Sequence, residues 1–143
     1  MLAPFWGKKF ARLGVAAALV SGGLALAGPA DPASAATARN GVCESGEFCL
    51  YWGYNGGESV SDFQGSVSNY GASQPTCYEF RGPGAGQGEC VKNNAASVWN
   101  RSSHAVRVYY NSGYAGTSQT FASGQAANLN SALVFNNASH RIL

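Results

Sequence analysis

Val98-Trp99-Asn100-Arg101-Ser102-Ser103-His104 is echoed 36 residues later by Val134-Phe135-Asn136-Asn137-Ala138-Ser139-His140. A second echo joins Tyr51-Trp52-Gly53-Tyr54-Asn55-Gly56 to Tyr110-Asn111-Ser112-Gly113-Tyr114-Ala115-Gly116. One unit, containing strands, a Gly-bearing turn and a polar close, is used twice. Two copies are too few for a solenoid, which needs at least about three. They suffice for a sandwich in which each copy covers the other's apolar face.

The intervening segments read as short strands. Residues 47–53 are rich in aromatic and aliphatic side chains, and Asn55-Gly56-Gly57 is a turn signal. Residues 59–63, 97–100, 106–110, 117–121 and 132–135 read as further strands. Residues 65–74 are polar and read as loop, with one more strand near Tyr70. Gly82, Pro83, Gly84, Gly86 and Gly88 make residues 82–88 an exposed loop. No stretch beyond residue 35 holds a 3.6-residue apolar period. The expectation is an all-β domain.

Lys8, Lys9 and Arg12 precede an apolar run from Leu13 to Ala27, and Ala33-Ser34-Ala35 offers small residues for cleavage. Residues 1–35 read as a signal peptide on the general secretory route, since no Arg-Arg pair is present. The apolar run is shorter than the roughly 20 residues of a spanning helix. Residues 36–46 read as a flexible lead, and residues 47–143 as one secreted, monomeric domain. Beyond residue 35, Arg39, Arg81, Lys92, Arg101, Arg107 and Arg141 balance Glu44, Glu47, Glu58, Asp62, Glu79 and Glu89. That neutrality removes the electrostatic support for nucleic-acid or anionic-membrane partners.

Cys43, Cys49, Cys77 and Cys90 allow three disulfide connectivities. The local pairs Cys43–Cys49 and Cys77–Cys90 are favoured, because each closes a Gly-containing loop. The spacings do not suit zinc. A bridge closing a loop of about 15 residues is worth on the order of 3 kcal/mol under the chain-entropy model.

Tyr110 with Tyr114-Ala115-Gly116 resembles the aromatic–x–Gly hairpin of βγ-crystallin Greek keys, and Tyr51 with Tyr54-Asn55-Gly56 is a looser copy. Cys43-Glu44-Ser45-Gly46-Glu47-Phe48-Cys49-Leu50-Tyr51 resembles the opening of peptidase inhibitor family I36, small secreted bacterial domains. The resemblance implies a βγ-crystallin-like sandwich of two Greek keys, at about 48–102 and 105–143. It also implies inhibition of extracellular proteases, metalloproteases first among them, with no cofactor required. Residues 64–89 match the family poorly, so its reactive residues do not carry over.

Four kinds of chemistry compete. For catalysis, His104 and His140 fall at equivalent repeat positions, which suits structural or surface turn residues. No G-x-S-x-G or HExxH motif is present, and the expectation is no enzyme. For inhibition, the candidate loop is Cys77, Tyr78, Glu79, Phe80 and Arg81, with Tyr78 and Phe80 filling an apolar protease pocket and Cys77 fixing the backbone. A plain connection between the Greek keys, with both rings tucked inward, is the competing reading. For calcium, Asn93-Asn94-Ala95-Ala96-Ser97 resembles the βγ-crystallin Ca²⁺ pattern, with Glu58 as a partner acid; a polar turn explains the same residues. The second copy is placed at Leu129-Asn130-Ser131-Ala132-Leu133, where two leucines break the pattern. For sugars, Trp52, Tyr54, Tyr109 and Tyr114 are stacking candidates, though each also suits a core or hairpin position. The alternative to inhibition is therefore a non-inhibitory module, either weakly Ca²⁺-binding or directed at a cell surface, as in killer-toxin-like relatives of the fold.

Overall fold

The computed structural model describes residues 38–143; the expected signal peptide lies outside the described residues. Seven strands are described: β1 (Phe48–Tyr51), β2 (Val60–Phe63), β3 (Ser97–Asn100), β4 (Val106–Asn111), β5 (Ala115–Phe121), β6 (Ala126–Asn128) and β7 (Ser139–Ile142). They form two antiparallel sheets, ordered β2-β1-β3-β6 and β5-β4-β7. β6 belongs to the second motif by sequence yet pairs with β3 of the first. Val67 of the first motif pairs in turn with His140 on β7. Each motif thus lends a segment to the other's sheet, and the two Greek keys interlock.

The β period of two places Phe48 and Leu50 in the main core with Val98, Val106, Val108, Phe121 and Leu133. Full burial of each aliphatic or aromatic side chain contributes about 1.5–3 kcal/mol. Cys49 and Tyr51 point the other way, into a smaller cluster with Cys43 and Val60. β1 is therefore buried on both faces.

The outer face is covered by a segment expected to be part of a flexible lead. Asn40 and Gly41 donate their backbone N–H groups to the Asp62 carboxylate at 2.9 and 2.7 Å. The Arg39 guanidinium donates to Ser61 Oγ (2.6 Å), Asp62 O (2.9 Å) and Glu79 O (2.7 Å), and lies 4.4 Å over the Phe63 ring. The Cys43–Cys49 bridge ties the same segment to β1. Fixed acceptors on β2 and a covalent link hold residues 39–46 in place.

The repeat is real, but its register differs from the sequence echo. Asn93 and Phe135 both adopt positive φ, at 64° and 60°. Ala96 N donates to Tyr51 O, as Ala138 N does to Tyr109 O. The Ser97 hydroxyl donates to Gly53 O and accepts from Gly56 N. Ser139 does the same with Asn111 O and Tyr114 N. Residues 93–97 therefore correspond to 135–139, not to 129–133, and Tyr51 corresponds to Tyr109, not Tyr110.

Two expected strands are absent. Residues 132–135 form a turn, because the Asn130 side chain accepts from Ala132 N and Leu133 N (3.0 and 3.1 Å) while Leu133 plugs the core. Near Tyr70 there is no strand; its ring is fully buried and its hydroxyl bonds His140. β6 and β7 carry no strand signal in the sequence, because Ala126-Ala127-Asn128 and Ser139-His140-Arg141-Ile142 have little intrinsic strand preference. Pairing with β3 and β4 holds them extended.

Glu47, just before β1, is fully buried. Its Oε1 accepts from Glu44 N at 2.9 Å, and its Oε2 has no hydrogen-bond partner among the described residues. Burial raises its pKa to about 7, against the Glu44 N–H and with help from the neighbouring Asp62 charge. The unfolded chain releases this proton near pH 4.5, so Glu47 weakens stability as pH rises from 4.5 through 7. Glu47→Gln is expected to stabilise the protein at pH 8 by on the order of 1–3 kcal/mol and to change little at pH 4. Urea unfolding at the two pH values measures both.

Candidate functional site

The Cys77–Cys90 bridge, with Cα atoms 5.7 Å apart, closes the loop between β2 and β3 at its base. Both local bridges expected from the sequence are present. Above the cysteines the chain runs back on itself: Phe80 N donates to Glu89 O (2.9 Å), Gly88 N to Phe80 O (2.8 Å) and Val91 N to Tyr78 O (2.8 Å). Arg81 N and Gly82 N donate to Val60 O at 2.9 and 3.0 Å. Ser59 N donates to Ala85 O, and Ala85 N to Glu58 Oε1, both at 3.1 Å. Gln87 Nε2 donates to Arg81 O at 3.1 Å. The tip is thus bonded to β2 on one side and to itself across.

One close approach fixes the tip's height. Gly86 has φ 89°, and a Cβ there would fall 2.2 Å from the Trp52 indole. Only glycine permits both the backbone and the contact. Trp52 in turn meets Phe80 edge to face at 5.7 Å.

The expected inhibitory residues separate on this scaffold. Cys77 is buried in the bridge. Tyr78 is 40% exposed, with its ring 5.6 Å from Phe63 and 5.3 Å from the Arg39 guanidinium. Glu79 and Arg81 form an ion pair at 3.5 Å on the surface. Phe80 is fully buried in the main core, so its ring is not presented to a protease as the sequence suggested. The cross-loop bonds of Phe80 with Glu89 and Gly88 hold its ring inward, between the Glu79 and Arg81 side chains that pair at the surface. Phe80→Ala is expected to cost about 3–5 kcal/mol of stability, read as a fall in urea midpoint. Besides Tyr78 and Arg81, the exposed residues lie further along, at Pro83, Gly84, Ala85, Gln87, Gly88 and Glu89. Trp52 and Gly86 hold this tip while Arg39 holds its base through Glu79 O, and only the glycine density signalled the loop in sequence.

The four calcium candidates have separate engagements. Ser97 Oγ spans the first hairpin, Asn94 Nδ2 donates to Cys90 O at 2.8 Å, and Glu58 Oε1 accepts from the loop. Asn93 N donates to Asn137 O. Among the described residues, no group of three or more His, Cys, Asp or Glu is gathered for a metal. Of the two histidines, His104 is exposed and His140 wholly buried; their sequence equivalence does not survive folding.

The family model for peptidase inhibitor family I36 matches residues 36–121. Solved structures similar to this chain include the following two. One, described as "Evolution of the eye lens beta-gamma-crystallin domain fold", has a TM-score of 0.55 at 13% identity, covering 72% of this chain and 93% of its own. The other, the N-terminal domain of protein S, has a TM-score of 0.48 at 18% identity, covering 68% and 94%. No curated protein matches the sequence. The first likeness carries the fold alone: the two interlocked Greek keys are βγ-crystallin-like. The match over residues 36–121, which includes the bridged loop, places the chain in peptidase inhibitor family I36.

Proposed function

We propose that this protein is secreted and blocks extracellular metalloproteases by seating the tip of the 77–90 loop in the active-site cleft. The observation that carries the reading is the loop itself. It is closed by a disulfide, bonded to β2 on one side and rested on Trp52, while Arg81, Pro83, Gly84, Ala85 and Gln87 face solvent. Such a loop loses little conformational freedom on binding, so contact energy is kept as affinity. After a cut within it, the bridge and the hydrogen bonds hold both ends in place. The chain contributes no chemistry to the complex; it excludes substrate by occupancy.

The test is a titration of the oxidised protein into a thermolysin-like, a subtilisin-like and a trypsin-like protease. The expected result is stoichiometric inhibition of the thermolysin-like enzyme. Inhibition of the trypsin-like enzyme alone would overturn the metalloprotease assignment and point to Arg81 as the side chain filling an acidic pocket. Inhibition of none of the three would overturn the reading.

A further inference from the structure

Tyr110 follows Tyr109 as Trp52 follows Tyr51, so the fold makes Tyr110 the second motif's counterpart of Trp52. The two are treated differently. Trp52 is covered by Gly86 of the bridged loop and by Phe80. Tyr110 has no such cover and is 46% exposed. It borders a recess of about 250 Å³ lined by Lys92, Asn93, Asn111, Ser112, Asn136 and Ala138. Among the described residues the Asn93 and Asn111 carboxamides have no hydrogen-bond partner, that of Asn111 lying over Gly116, so each keeps a donor and an acceptor. Lys92 Nζ donates to Asn69 Oδ1 (3.3 Å) and Ser112 Oγ (3.2 Å), which leaves one of its three hydrogens.

We infer that this recess is a carbohydrate subsite for one pyranose ring, of the N-acetylhexosamine class. An exposed phenol ring offers an apolar face, and a pyranose has one face of C–H groups to lay on it. Neutral carboxamides match hydroxyl and acetamido groups, which donate and accept as they do. No acid lines the recess and an ammonium does, which disfavours a cation. The volume lies just below that of drug-sized pockets, which start near 300 Å³, and suits a single ring. The site shares no residue with the 77–90 loop, so it stands independently of protease inhibition.

Titrating triacetylchitotriose into the ¹⁵N-labelled oxidised protein tests the inference. The expected result is saturable shifts of the Asn93 and Asn111 side-chain amides, half-complete at about 10 mM or below, a single-ring affinity. Tyr110→Ala is expected to weaken binding about tenfold or more; because Tyr110 is half exposed, the remaining spectrum should stay that of the folded protein. No saturable shift, or equal binding by the variant, would overturn the assignment. So would Ca²⁺ moving these amides where the trisaccharide does not.

Discussion

His140→Ala is expected to remove on the order of 3–5 kcal/mol of stability, a large share of the roughly 5–15 kcal/mol typical of a native domain. The ring is fully buried and sits 4.8 Å from Phe48 and 4.9 Å from Phe63, at the junction of the sheets. Its Nε2 lies 2.8 Å from Gly65 O, which can only accept, so Nε2 carries the proton. Nδ1 then accepts from the Tyr70 hydroxyl at 2.8 Å. Removing the ring leaves a cavity, an unpaired carbonyl and an unpaired phenol together. Urea unfolding at pH 7 reads the loss directly.

The same residue sets an acid limb. Burial, reinforced by the Arg39 charge and opposed by the Gly65 hydrogen bond, lowers the His140 pKa to about 4. The unfolded chain takes up this proton near pH 6.5, so His140 costs stability as pH falls from 6.5 to 4. Glu47 acts with the opposite sign, favouring the folded state as pH falls from about 7 to 4.5. The two contributions offset between pH 4.5 and 6.5. In Glu47→Gln the histidine limb stands uncovered, and stability should fall over that interval by on the order of 1–3 kcal/mol. A flat profile in that variant would remove the account of His140.

The second large effect concerns the loop. Gly86→Val is expected to weaken protease inhibition about 100-fold, two decades at about 1.4 kcal/mol each. A side chain there meets the Trp52 indole and carries a positive φ that a β-branched residue resists. The tip must lift off its support while the Cys77–Cys90 bridge and both sheets persist. Inhibition constants, paired with near-UV circular dichroism to verify the fold, separate displacement from unfolding. Unchanged inhibition would show that tip height above Trp52 is irrelevant to binding.

Much of the fold was legible because it rests on local signals. β1 to β5 carry aromatic and β-branched residues, and each coincides with an expected strand. The duplication was legible in outline, but its register was not. Val98-Trp99-Asn100 and Val134-Phe135-Asn136 look alike and fold as strand and turn, because Asn130 caps the second stretch. The true correspondence, Ser97 with Ser139, rests on one hydroxyl in each motif that spans a hairpin.

At the candidate site, both disulfides are the local pairs favoured for their Gly-containing loops, and the exposed loop followed from its glycines. What failed was the direction of Phe80, since a segment outside regular strands gave no pattern for reading inward and outward sides. The role of Arg39 is equally illegible in the sequence. It lies in a polar stretch with no strand signal, and its value comes from acceptors 22 to 40 residues away. For His140 the sequence leaves a structural and a surface turn role open, because a lone histidine in a polar run shows nothing of a burial imposed by Val67 and Val108 on either side.

Amide hydrogen exchange of the protein, free and in complex with the protease it inhibits, tests the central claim most directly. Gly84 and Gly86 sit in the exposed tip, and their N–H groups donate to no described residue. The account predicts that both slow strongly in the complex, with protection centred on residues 81–89. Protection confined to other surfaces, with Gly84 and Gly86 exchanging as in the free protein, would contradict it.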